Sequence, residues 1–304
     1  MLSSRATFPI LNNVFRRVNH RVSKVNPISV EASLRAPSLN DALKVDLHFD
    51  ITERRTGHGV PLAPYDVYLN GTELTSGRCD SKGHHVESLS LPTHRNKIDV
   101  YYDRRRLAAA SDALDVSWDN FKGKAIDESV WTPIKSVSLT GGHSKLYQDE
   151  KVFFDCYHAG WGAGIRLNEP VDIAGGSVSV TLRSGGYTVS EIGILPSHRP
   201  VFIAPGTGDG YVIGLWERGV NKFHIYRGSG GPVLSKPSFA GNPETIKFTL
   251  DDDNVVHIFE QNKEVFSEPY PYDTTLCNIY LSGMSWYWYG GGISWADNFV
   301  YVSG

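Results

Sequence analysis

From Trp131 to Gly304 the chain falls into short runs of alternating or wholly apolar residues separated by tight turns, a spacing that leaves room for little except β-sheet. Val152–Tyr157, Ala163–Leu167, Ser177–Leu182, Val189–Leu195 and Tyr211–Trp216 each read as a strand. So do Phe223–Tyr226, Ile246–Leu250, Val255–Phe259, Ile279–Leu281 and Phe299–Val302. Gly175-Gly176, Gly185-Gly186, Gly228-Ser-Gly-Gly231 and Asp251-Asp-Asp-Asn254 supply turns between them. Ten or so short strands with no helical period predict two packed antiparallel sheets.

Ahead of these strands lies Asp119-Asn-Phe-Lys-Gly-Lys-Ala-Ile-Asp-Glu-Ser-Val-Trp131. Phe121 and Trp131 offer large faces to a new core, and Gly123 lets the backbone reverse between them. This stretch resembles the entry strand of concanavalin A-like (laminin-G-like) jelly rolls. The hairpin Phe248–Phe259 with its Asn262-Lys263 turn, and the closing Trp295-Ala-Asp-Asn-Phe-Val-Tyr301, resemble later strands of the same family. The resemblance covers about 190 residues and implies a lectin, an adhesive module or a glycan hydrolase.

Residues 28–103 alternate in a different way. Leu43, Val45, Leu47 and Phe49 share one face of a strand, with Lys44, Asp46, His48 and Asp50 on the other. Tyr65-Asp-Val-Tyr-Leu-Asn-Gly-Thr72 runs into an Asn-Gly hairpin turn, and Cys79-Asp-Ser-Lys-Gly83 makes another. With Thr56-Gly57, Val60-Pro-Leu62 and Ile98-Asp-Val-Tyr-Tyr102, this order resembles transthyretin-like and Ig-like modules, departing at the Gly59-Val60 insert and at His84-His85. That resemblance implies a spacer or presentation platform. The expected fold is therefore all-β, an Ig/transthyretin-like sandwich over 28–103 followed by a concanavalin A-like jelly roll over 116–304. Arg104-Arg-Arg106 and the alanines of Leu107–Leu114 predict a short helical linker over 104–115.

Residues 1–27 form a basic arm without an acid before Glu31; Arg16, Arg17 and Arg21 supply charge, and Phe8 and Phe15 supply apolar surface. No apolar run there reaches the length of a secretory core; a docking arm, a disordered tail and a cleaved organelle presequence all stay open. The net charge of −3 gives no case for nucleic acid. No stretch approaches the roughly 20 apolar residues that cross a bilayer. Cys79, Cys156 and Cys277 are too scattered for a metal site or a disulfide framework, with a Cys156–Cys277 pair left open. No metal or cofactor is expected; His84 and His85, adjacent on a strand, point to opposite faces.

The jelly-roll resemblance makes carboxylates the deciding residues. Hydrolases of that architecture carry two on one strand face, in a Glu-x-Asp-x-x-Glu run that is missing here; Glu191 stands alone, and Glu217 precedes Arg218. The expectation is no enzyme. Aromatics favour binding instead: Trp286, Trp288, Tyr289 and Trp295 cluster beside a glycine run, with Trp161 between two glycines and Asp209 in a glycine loop completing a glycan or partner site. Surface-type modules lacking an export signal suggest a virion structural or attachment protein, homo-oligomeric, docking to other subunits through its arm. A cellular glycan-binding or adhesin-type surface protein is the alternative, and a glycan hydrolase a third.

Overall fold

The computed structural model describes residues 27–40, 42–103, 110–135, 143–157, 161–199, 210–217, 221–228, 231–238, 244–285 and 290–304. Their regular structure is all strand. The chain divides into two compact units, one of residues 1–92 and 96–114, the other of 93–95 and 115–304.

In the first unit, β1 (Ile28–Asn40), β2 (Ala42–Glu53) and β5 (His84–Leu91) form one antiparallel sheet in the order β1-β2-β5. β3 (Pro64–Leu69) pairs with β4 (Thr72–Arg78) and β6 (Arg95–Tyr102) in the other. The expected alternation holds, since Val45, Leu47, Phe49 and Ile51 are buried. Phe49 meets Tyr65 of the facing sheet edge-on at 5.0 Å. The Asn70-Gly71 turn joins β3 to β4 as predicted. Gly59, read as an insert, has a structural reason. A Cβ there would lie 1.5 Å from the Lys82 carbonyl oxygen, so only glycine lets the two loops pass. His84 pairs with Asp50 at 3.0 Å, while His85 turns inward to the Tyr65 hydroxyl at 2.7 Å. Among the described residues no group of three or more His, Cys, Asp or Glu is placed to hold a metal ion.

The predicted helix over 104–115 is corrected where it is described. Ala110–Asp119 is β7, a strand, and residues 104–109 lie outside the described set. Leu114, Val116 and Trp118 point inward at period two, and Val116–Asp119 pair with the last strand of the chain. Burial of that alternating face outweighs the helix preference of three alanines, which is worth only a few tenths of a kcal/mol per residue.

The second unit continues with β8 (Trp131–Lys135), β9 (His143–Gln148), β10 (Val152–Tyr157), β11 (Trp161–Leu167), β12 (Val171–Asp172), β13 (Ser177–Arg183) and β14 (Thr188–Pro196). Then come β15 (Tyr211–Glu217), β16 (Asn221–Arg227), β17 (Leu234–Pro237), β18 (Glu244–Leu250), β19 (Val255–Glu260), β20 (Lys263–Pro269), β21 (Leu276–Ser285) and β22 (Gly291–Val302). One sheet runs β20-β19-β18-β13-β22-β7, with β10 beside the first half of β22 and β9 outside β10. The other runs β17-β16-β15-β14-β21-β11-β8, with β12 on β21. Their inner faces interdigitate through Phe154, Val180 and Phe248 from the β22 sheet and Ile165, Ile192, Ile213 and Leu281 from the β21 sheet. This is a jelly-roll sandwich.

The segment 119–131 closes one end of that core. Asp119 accepts hydrogen bonds from the Phe121 amide at 2.6 Å and the Trp131 indole at 2.9 Å. Phe121 is held at φ +51° and fully buried, 5.7 Å from Trp131, which meets Phe299 edge-on at 4.9 Å. A non-glycine residue at positive φ costs about 1 kcal/mol, offset here by burial of the whole phenyl ring. Cys156 and Cys277 lie in different sheets, and all three thiols are free and buried.

Candidate functional site

Two outward faces of the sandwich carry residues of possible function. On the β21 sheet, cross-strand register aligns Ser282, Glu191, Gly214 and His224 in one row and Tyr280, Gly193, Val212 and Tyr226 in the next. This face is packed shut. Leu195, Val212 and Tyr280 form a small buried cluster with Ile134 and Tyr226 against it. Tyr280 lies across Gly193, where a Cβ would fall 1.8 Å from the ring.

Glu191 is wholly buried on that face, with Ser282 Oγ donating to its Oε1 at 2.8 Å. Burial pushes its carboxyl up to about 7, with the Ser282 hydrogen bond and the neighbouring Tyr280 hydroxyl pulling the other way. Burial likewise pushes the Tyr280 phenol well above its ordinary value, with Glu191 adding to it, and holds the His224 imidazole below its own. Among the described side chains of β11, β14, β15, β16 and β21, Glu191 is the one carboxyl. A retaining or inverting glycosidase needs two flanking the scissile bond. Here the carboxyl's neighbours on its row are a serine and a glycine.

The outward face of the β22 sheet is open by comparison. Tyr147 of β9 stands opposite Phe153 of β10, which stands opposite Trp295 of β22. The Tyr147 and Phe153 rings stack at 5.0 Å and 12° between planes. Tyr147 is 40% exposed, and among the described residues Phe153 is the ring stacked on it. Trp295 is only 7% exposed, with Lys151 Nζ 3.7 Å from its ring centroid. Tyr157 and Ile293, both exposed, extend the apolar surface on the same side. Lys145 and Asp155 face each other within it.

Of the aromatics singled out in the sequence, Trp295 alone has a described side chain, and it sits under Lys151, with little ring left open. Trp161 starts β11 in the opposite sheet, paired with Ser285, so the two do not belong to one face. Asp209, Trp286, Trp288 and Tyr289 lie outside the described residues, as do Phe8, Phe15, Arg16, Arg17 and Arg21 of the arm. Tyr147 and Phe153 were missed. Their signal was the period-two pattern of Val152–Tyr157, which sends Val152, Phe154 and Cys156 inward and Phe153 outward.

No family model matches the chain, and no curated protein matches it in sequence. Several solved structures are similar in fold. The carbohydrate recognition domain of Emp47p aligns at 15% identity over 59% of this chain and 100% of that one, with a TM-score of 0.41. A prokaryotic β-1,3-1,4-glucanase (lichenase) from a mouse hindgut metagenome aligns at 14% identity over 61% and 98%, TM-score 0.44. The Bacillus licheniformis β-glucanase aligns at 12% identity over 62% and 98%, TM-score 0.41.

Proposed function

We propose that the chain is a non-hydrolytic glycan-binding subunit of a virion or comparable surface assembly. In this reading the jelly roll recognises the glycan and the first unit, an Ig/transthyretin-like module, acts as spacer. The observation that carries it is the Tyr147–Phe153 stack, an exposed tyrosine ring on a half-buried phenylalanine on a sheet face flanked by Lys145 and Asp155. Aromatic faces bind the C–H faces of pyranose rings, and flanking charged groups hydrogen-bond their hydroxyls. The closed setting of Glu191 supports binding over cleavage, because a carboxyl with no partner carboxyl on its row supplies at most half of a glycosidase. The basic, partly apolar segment 1–26 supports attachment to an acidic neighbouring subunit.

The test is titration of the full chain against a panel of neutral oligosaccharides, with reducing-sugar release measured in parallel. A bound oligosaccharide, at least tenfold weaker binding in Tyr147→Ala and Phe153→Ala, and no sugar release are expected. Binding unchanged in both variants would move the site elsewhere. Sugar release that vanishes in Glu191→Gln would make the protein a hydrolase.

A further inference from the structure

A separate site lies away from both sheet faces. Thr93, His94, Arg95, Asp127, Ser129 and Val130 line a cavity of about 500 Å³, within the range that takes small ligands. All six belong to the second unit. The loop Asp127-Glu-Ser129 is fixed by its own hydrogen bonds: Asp127 Oδ1 accepts from the Ser129 amide at 2.9 Å and from Ser129 Oγ at 2.6 Å. Those bonds, the hydroxyl's foremost, hold the Asp127 carboxyl below its ordinary value, so it is an acceptor at neutral pH. Its Oδ2 lies 3.0 Å from His94 Nδ1. The imidazole is held from beneath by Trp118, edge-on at 5.2 Å, whose amide donates to the His94 carbonyl at 2.9 Å. The His94 imidazole, a third of its side chain exposed and 3.0 Å from Asp127, adds a polar group to the lining.

Charge decides the class of ligand. Arg95 is matched by Glu169 at 2.9 Å, and His94 by Asp127, with Asp119 a further 4.0 Å contact. Asp119 is itself engaged by the Trp131 indole and the Phe121 amide. The Arg95 guanidinium and the His94 imidazole thus each face a carboxylate. An anionic ligand would meet Asp127, and a cationic one would meet Arg95. What the lining offers is a set of donors and acceptors at several angles: imidazole, guanidinium, carboxylate and two hydroxyls, over the apolar floor of Val130.

We infer that this pocket binds one neutral, hydroxyl-rich ring, such as an uncharged monosaccharide unit, with Asp127 and His94 as its principal hydrogen-bonding groups. The inference uses none of the residues of the Tyr147–Phe153 face and stands or falls apart from it.

Saturation-transfer difference NMR on the full chain tests it, with free glucose, galactose, mannose and N-acetylglucosamine as probes. Glucosamine serves as the cationic arm and N-acetylneuraminic acid as the anionic one. In the Tyr147→Ala background, which removes the aromatic face, saturation transfer to at least one neutral sugar is expected, reduced at least tenfold in apparent affinity by Asp127→Asn and by His94→Gln. His94→Gln leaves the Asp127–Ser129 bonds in place, so it carries the test should Asp127→Asn fail to fold. No transfer to any neutral sugar into the millimolar range overturns the inference. So does transfer confined to a charged arm, or transfer in the Tyr147→Ala background that His94→Gln leaves undiminished.

Discussion

The indole nitrogen of Trp131 donates to the carboxylate of Asp119 at 2.9 Å, twelve residues away along the chain. The other carboxylate oxygen holds the Phe121 amide at 2.6 Å, so one buried side chain satisfies two donors and fixes a left-handed phenylalanine. Asp119→Ala would strand both donors inside the core, at about 1–3 kcal/mol for each unsatisfied group. A loss of about 3 kcal/mol in urea unfolding of the full chain is expected, with Asp119→Asn losing less because its amide oxygen keeps one bond. A change below 1 kcal/mol for the alanine variant would mean the segment 119–131 is not what closes this end of the core.

Glu191 makes stability fall with rising pH. Its carboxyl has an ordinary value of 4.5 and is pushed up to about 7 by burial. Between those values the unfolded chain ionises while the folded chain stays protonated, so folding takes up a proton. The contribution is fully present below pH 4.5, shrinks as the pH rises and is lost above about 7, roughly 3 kcal/mol in all. Glu191→Gln, which keeps an acceptor for Ser282, should remove that slope. Parallel unfolding curves for both proteins from pH 5 to 8 would count against the burial of this carboxyl.

The three thiols should be silent in the native state. Burial pushes Cys79 and Cys277 up to about 11 and Cys156 up to about 12, leaving almost no thiolate at neutral pH. An aromatic disulfide reagent should react with none of them until the chain is unfolded, and then with all three. Two missing equivalents after unfolding would reveal a disulfide.

Gly59→Ala tests the first unit. Its Cβ would fall 1.5 Å from the Lys82 carbonyl oxygen, backbone that has no rotamer to escape by, so a loss of several kcal/mol is expected. Gly57→Asn is the control: φ is +69°, nothing lies within 4 Å, and asparagine tolerates that conformation. Similar effects from both would point to chain entropy as the cause in place of the close approach.

Deleting residues 1–26 should leave thermal unfolding unchanged, since the described cores are complete without them, while abolishing incorporation into the assembly. Normal assembly of the truncated chain would end the docking role given to Arg16, Arg17, Arg21, Phe8 and Phe15.

Period-two alternation made most strands legible, because a strand half-buried in a sandwich must sort its side chains by face. Val152–Tyr157 was read with the bounds the structure gives it, and Ser177–Leu182 falls one residue short. Where two rules competed, local composition misled: three alanines suggested a helix, while Leu114, Val116 and Trp118 carried the weaker-looking signal that prevailed. The site was far less legible. A run of aromatics drew attention to 286–295, but whether a ring is open depends on what lies over it, and Lys151 over Trp295 is a contact no local pattern announces. The Tyr147–Phe153 stack and the His94–Asp127 pair are both products of register and chain crossing, joining residues that are six and thirty-three positions apart.

The last strand has a consequence for how the protein is made. β22 pairs with β10 and β7 along one side and with β13 along the other, so residues 291–302 are the keystone of their sheet. On the side that β22 covers, β7, synthesised some 180 residues earlier, has its partner only when those residues leave the ribosome. Until then the emerging chain exposes the edges of β7, β10 and β13 together, which makes the nascent protein a client for chaperones, and a chain cut short before residue 291 would keep those edges unpaired.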